Sequence, residues 1–259
     1  AQPGPGPGPP AQPSPPRPYS SIAVTPPAQS ADPSFSAFRQ QLGEIAGRKD
    51  RVALAGLVAP GFFWLADRGD KADRKKAPID NLARAIGLDG ADADGWELLT
   101  HAAAEPTLKA FPPKTGVVCA PAAPTLDDKA FEQLLKSSRT DVFDWAWPAT
   151  SSLPVRSGAA ADAPVVETLG SVLVRVLPDE APPGAPGAPG AQPAGGPAPA
   201  AGAPAVQPGP GAVPPLKVVT PSGKIGWVSA DAVQPLVSDQ LCYVKDASGW
   251  KIGGYLGGE

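Results

Sequence analysis

Apolar positions recur at helical spacing through the first half of the chain and alternate residue by residue through much of the second. Asp32-Pro33 is a helix-start signal, a capping carboxylate followed by proline at the first helical position. Phe35, Phe38, Leu42 and Ile45 then line one face, and Gly47 is the expected stop. Asp50 is placed to cap a second, short helix carrying Val52, Leu54, Leu57 and Val58, ended by Pro60-Gly61. Phe62-Phe63-Trp64-Leu65 reads as a buried strand or extended segment, and residues 67–76 as a charged loop. Further helices are predicted over 78–87, with Ile79, Leu82 and Ile86 inward, and over 94–104, with Trp96 and Leu99 inward. After an extended run at 115–120, a helix over 127–137 turns Phe131, Leu134 and Leu135 to one side, and 141–148 brings Phe143, Trp145 and Trp147.

From residue 153 the period changes to two. Val172, Val174 and Val176 alternate on one predicted strand, Leu216 and Val218 on another, and Ile225 stands near Trp227 on a third. Residues 239–244 and 250–256 flank the turn Asp246-Ala-Ser-Gly249 and form a hairpin. A lone hairpin is marginal in water, so it is expected to dock on the helical part. Most of the 37 prolines fall within 1–33 and 178–215, both nearly free of the large apolar side chains that would offset the entropy of ordering. The first is expected to be an extended tether, the second a disordered insert between strands. Lengthening a connection from about 4 to about 36 residues costs only about 2 kcal/mol. Each buried valine returns about 1.5–3 kcal/mol before entropy is subtracted, so such an insert need not prevent folding.

The strands on either side of that insert carry two signatures in order: Val155-Arg156-Ser157-Gly158, and Gly226-Trp227-Val228 followed by Asp231. Together these roughly 50 ordered residues resemble a bacterial SH3 domain, and the whole arrangement resembles exported SH3-domain proteins of Gram-negative bacteria. The resemblance implies a small β-barrel that binds rather than catalyses, with a ligand groove near Arg156, Trp227 and Asp231. It implies a peptidoglycan stem peptide or an envelope protein as partner. The chain departs from the family at Pro215, where an aromatic residue commonly edges the groove. Trp227 can serve as a core residue or as a ligand platform, and Arg156 and Asp231 as groove rim or as a solvated salt bridge.

Charge and cysteine content narrow the classes further. A net charge of −3 gives no general attraction for nucleic acid, and no apolar run reaches the roughly 18 residues that span a bilayer. The chain has no methionine and begins Ala-Gln-Pro-Gly, which matches what signal-peptide cleavage leaves, although a chain trimmed there would read the same. A periplasmic or secreted location is expected. Cys119 and Cys242, the only cysteines, are expected to form a disulfide in that setting, or to be buried thiols in a reducing one.

Catalytic chemistry finds little purchase. Cys119 with His101 offers a wall-hydrolase alternative, but the histidine precedes the cysteine and sits in a predicted helix. Asp89, Asp92 and Asp94 lack the loop length and the bidentate glutamate of an EF-hand, and no metal or cofactor is expected. Arg68-Gly69-Asp70 and the basic run Lys71, Arg74, Lys75 and Lys76 read first as a solvated loop, and then as a patch for anionic polymer or headgroups.

The expected fold class is α+β. A tether (1–31) leads to a mainly helical domain (32–150), an SH3-like small β-barrel (151–236, with the disordered insert at 180–215) and the C-terminal β-hairpin (237–259), which completes the helical domain. The expected function is a non-catalytic binding or scaffolding protein of the cell envelope. The alternatives are the hydrolase, and a structural spacer whose function lies in the helical domain.

Overall fold

A computed structural model of the chain describes residues 17–90, 94–177 and 214–257. The disorder expected over 1–16 and 180–213 lies outside the described residues. Among the described residues stand five α-helices and two sheets, of six and seven strands, a mixed α and β architecture. In chain order the first elements are α1 (Pro33–Arg48), α2 (Arg51–Ala55), β1 (Val58–Ala66), β2 (Gly69–Asp70), α3 (Pro78–Ala85) and α4 (Asp94–Ala104). There follow β3 (Lys109–Ala110), β4 (Val117–Ala120), α5 (Asp128–Ser138), β5 (Trp145–Pro148), β6 (Leu153–Arg156) and β7 (Val165–Leu169). The last are β8 (Val174–Val176), β9 (Pro215–Val219), β10 (Ile225–Ser229), β11 (Val233–Pro235), β12 (Gln240–Asp246) and β13 (Gly249–Leu256).

The chain divides into two compact units. One is Val24–Leu126 with Pro235–Glu259, the other Ala1–Ala23 with Asp127–Gln234. The first holds the six-stranded sheet, in the order β2-β1-β13-β12-β4-β3. Its helices start where local chemistry says they should: Asp32 accepts from the Ser34 amide at 2.8 Å, and Asp50 from that of Ala53 at 2.9 Å. Two expectations need correcting here. α1 runs through Gly47 and ends at Arg48, with Lys49 taking the left-handed capping position at φ 52°. α2 stops at Ala55, and Leu57 and Val58 are buried in and before a strand, because Val58 pairs with Ile252 of β13. Of the apolar residues on α2, Leu54 is buried and Val52 is 87% exposed.

The C-terminal hairpin does more than dock. β13 pairs in parallel with β1 and β12 antiparallel with β4, so the hairpin supplies the two central strands of the sheet. Alternation then sorts its side chains. Leu241 and Tyr243 join Phe35, Leu42, Leu82 and Leu99 in the helix-covered core, whereas Cys242 and Val244 face the other way with Phe63 and Val117. Cys242 lies directly opposite Cys119 in the register, and the two are joined in a disulfide. Gly254 is required where the Phe63 ring crosses β13, since a side-chain carbon there would sit inside the ring's contact distance.

The second unit holds the seven-stranded sheet, in the order β11-β5-β8-β9-β10-β6-β7. Strands on either side of residues 178–213 do pair: Arg175 with Val219, Val176 with Val218, and Arg156 with Trp227. The expected closed barrel is not formed by these ladders, since β11 and β7 stand at opposite ends of the order. Its apolar face gathers Leu153, Val155, Val174, Val218 and Val228. Within the second unit, α5 turns Phe131 edge-on to Trp145. In the same unit Phe143 is 74% exposed, whereas Trp145 and Trp147 are buried.

The tether also needs correction. Residues 17–31 do not trail free. Tyr19 donates its hydroxyl to the carbonyls of Leu173 and Val219 and its amide to that of Pro221, and Ile22 is buried in the same unit. In the other unit, Val24 is buried, and Thr25 and Gln29 form bridges to Thr125 and Thr107. An aromatic and two aliphatic side chains offset what the surrounding prolines cannot.

Candidate functional site

Trp227 stands in the middle strand of three, opposite Arg156 on one side and Lys217 on the other. Residues directly opposite in an antiparallel ladder share a face. The three side chains therefore form a cation–aromatic–cation row across β9, β10 and β6. Their neighbours fix which face it is. Val155, Val218 and Val228 point into the apolar core, and Gly226 must be glycine because a side-chain carbon there would strike the Val155 side chain and lie 2.8 Å from the Arg156 carbonyl oxygen. The row lies on the opposite face, and each of its members is half-buried. Ile225, two residues before Trp227 and 45% exposed, extends the face by one apolar step.

Trp145, paired with Arg175, marks the other end of the same face, and it is fully covered. Tyr19 meets its ring edge-on at 4.9 Å and Phe131 at 6.3 Å, and its indole N–H donates to the Thr140 hydroxyl at 2.9 Å. Burial pushes the Tyr19 phenol above its usual range, so it stays a neutral donor. Among the described residues no aromatic ring packs on Trp227. Of the two tryptophans on this face, one is structural and one is available.

Arg156 is held by its own loop. Its Nη1 donates to the Ala163 carbonyl at 2.8 Å, while the Ser157 amide donates to the Pro164 carbonyl. This leaves further guanidinium N–H groups for a ligand. Asp231 lies outside the row, in the 3-10 turn Ala230–Ala232, where its carboxylate accepts the Ser229 hydroxyl. The expected Arg156–Asp231 salt bridge is absent among the described residues, because each group finds a nearer partner in its own turn. Lys217 was missed by the sequence reading. It sits between the inward residues Leu216 and Val218, so strand alternation alone puts it on the Trp227 face once the register is known.

The remaining candidates are dispersed. Cys119 is 3% exposed with its sulfur bonded to Cys242, and His101 extends from α4 with its Nε2 3.6 Å from the Glu97 carboxylate. The first has no thiolate to offer in this state, and the second is solvated. Asp89 pairs with Arg51, while Asp92 lies outside the described residues. Asp70 of the Arg-Gly-Asp triplet turns its carboxylate to the amides of Trp64 and Ala72, both at 3.0 Å, and so organises its own loop. No helix among the described residues is long and apolar enough to cross a membrane. Comparison with family profiles, curated proteins and solved structures finds no match to the chain.

Proposed function

We propose that the chain is a non-catalytic binding or scaffolding protein of the cell envelope, and that its seven-stranded unit is an SH3-like module. The observation that carries this reading is the half-exposed Trp227 flanked in register by Arg156 and Lys217. An indole face takes an apolar or backbone segment of a peptide, and a guanidinium beside it takes a carboxylate. That combination suits a short, carboxylate-bearing peptide, such as a peptidoglycan stem or an exposed segment of an envelope protein. The disulfide supports an oxidising compartment, periplasmic or secreted. The hydrolase alternative has no reactive thiol while Cys119 is bonded to Cys242.

Co-sedimentation with purified cell-wall sacculi tests the reading. The whole protein is expected to pellet with them, and Trp227→Ala and Arg156→Gln each to weaken binding by about tenfold, the effect of one lost charged or aromatic contact. A protein that stays in the supernatant, or two variants that pellet as well as the parent, would remove the wall-peptide version.

A further inference from the structure

Residues 17–23 meet the seven-stranded unit as a short extended peptide meets a groove. The Tyr19 amide donates to the Pro221 carbonyl at 3.1 Å, and the Leu173 amide donates to the Ile22 carbonyl at 3.0 Å. Ala23 forms an antiparallel bridge with Val172. The Tyr19 hydroxyl lies 3.2 Å from the Leu173 carbonyl oxygen and 2.9 Å from that of Val219, and its ring stands edge-on to Trp145. Pro18 packs on the β9–β10 turn at Gly223, where a side-chain carbon would lie 3.0 Å from the proline ring. Groups from both sides of residues 178–213 thus make one seat: Val172 and Leu173 before them, Val219, Pro221 and Gly223 after.

The segment is held as a ligand is held. Its hydrogen bonds to the seat engage main-chain groups there, and none runs within the segment itself among the described residues. Only Tyr19 and Ile22 turn inward, while Arg17, Pro18, Ser20, Ser21 and Ala23 are exposed. Main-chain bonds supply affinity in such a mode, and the inward side chains, here a Tyr-x-x-Ile spacing, supply selectivity. Two anchors must offset the ordering of seven residues, so the hold is marginal without covalent attachment. Attachment at Val24 keeps the segment at a local concentration on the order of mM. The same segment of a second copy carries the same anchors and fits the same seat. Reciprocal exchange would fill both seats and close at two chains.

We propose that this seat is a peptide-binding site, filled in cis by residues 17–23 and in trans by the same residues of a second copy, so that two chains can exchange them. Calorimetric titration of the full chain with a synthetic peptide of residues 17–24 tests the seat. The Tyr19→Ala chain is expected to bind it with a dissociation constant of about 0.1–1 mM, and the parent about tenfold more weakly, because its own segment competes. Alanine at the tyrosine of the peptide should abolish saturation, whereas Ser20→Ala in the peptide should leave affinity within about twofold. Sedimentation equilibrium of the parent at about 1 mM should show dimer, which Tyr19→Ala removes. Hydrogen exchange on the parent gives a reading independent of whether that variant folds. The Tyr19 and Leu173 amides should exchange about 100-fold faster than those of the β9–β10 ladder. Equal rates would mean that the segment leaves only when the unit unfolds, and would overturn the exchange. No saturation of a folded Tyr19→Ala chain up to about 5 mM, or equal binding by variant and parent, overturns the seat. A parent that stays monomeric at about 1 mM overturns the second copy as its occupant.

Discussion

The two sheets assemble distant parts of the chain and secure them by different means. In the six-stranded sheet the last strands enter between β1 and β4, and a disulfide joins residues 123 apart in sequence. In the seven-stranded sheet the strands before and after residues 178–213 meet without a covalent tie among the described residues, through ladder bonds, a small valine-rich face and the Glu167 carboxylate, which accepts the Thr220 and Ser222 hydroxyls. A covalent tie acts largely by restricting the unfolded chain, whereas packing acts only in the folded one. The first sheet should therefore respond most to redox conditions, and the second to the fit of single side chains.

The sharpest way to break that contrast is to remove the tie. Replacing Cys119 and Cys242 together by alanine should lower unfolding free energy by about 2–5 kcal/mol, read from urea denaturation of the six-stranded unit. A midpoint unchanged from the parent would mean that strand pairing alone secures the hairpin. Next in size come the close approaches. Gly226→Ala drives a methyl into the Val155 side chain and the Arg156 carbonyl, and Gly254→Ala drives one into the Phe63 ring. Each is expected to cost about 1–3 kcal/mol by overpacking. Gly226→Ala should be the worse, because part of its obstacle is backbone, whereas a ring can tilt. Thermal melts of both variants check the order.

A smaller effect is tied to acid. The side-chain bonds from Ser34, together with Lys245 at 2.9 Å, hold the Asp32 carboxyl well below the usual carboxylate range. A group whose folded pKa is depressed contributes stability above its unfolded value, near 3.9, and loses it as the pH falls towards the folded one. Stability should thus decline below about pH 5, and Asp32→Asn should flatten that decline while keeping a capping side chain. A denaturation series between about pH 6 and pH 2 measures it; parallel curves for parent and variant would exclude the cap as the titrating group. The smallest change is expected at Tyr243, whose hydroxyl is fully buried and has no hydrogen-bond partner among the described residues. Tyr243→Phe should leave stability unchanged or raise it by up to about 1 kcal/mol, since no bond is lost and a desolvated polar group is removed. A loss greater than that would reveal a partner for the hydroxyl.

Legibility followed the range of the interactions. The starts of α1, α2 and α5 could be read because a capping aspartate acts within three residues, and Asp32, Asp50 and Asp127 all cap. The stop at Gly47 was misplaced because glycine permits a left-handed turn without requiring one, and Lys49 took it instead. Leu57 and Val58 read as helical because a short apolar run fits either period, and only the Ile252 amide, which donates to the Leu57 carbonyl beside the Val58–Ile252 pair, decides for the strand. Tyr19 and Ile22 were hidden in proline-rich surroundings, and their value depends on the sheet that receives them. Trp227 and Arg156 were found by motif, whereas Lys217 needed the ladder register.

By itself, the order of residues determined which segments could turn, cap and alternate, and which cysteines were there to be joined. Those are consequences of steric and hydrogen-bonding preferences spanning a few positions. Tertiary structure decided that the terminal hairpin would be central, that one tryptophan would be covered and another left open, and that Tyr19 would find its seat against Trp145. Each of these depends on which distant surfaces meet, and a one-residue change of strand register would reverse the faces on which the side chains stand.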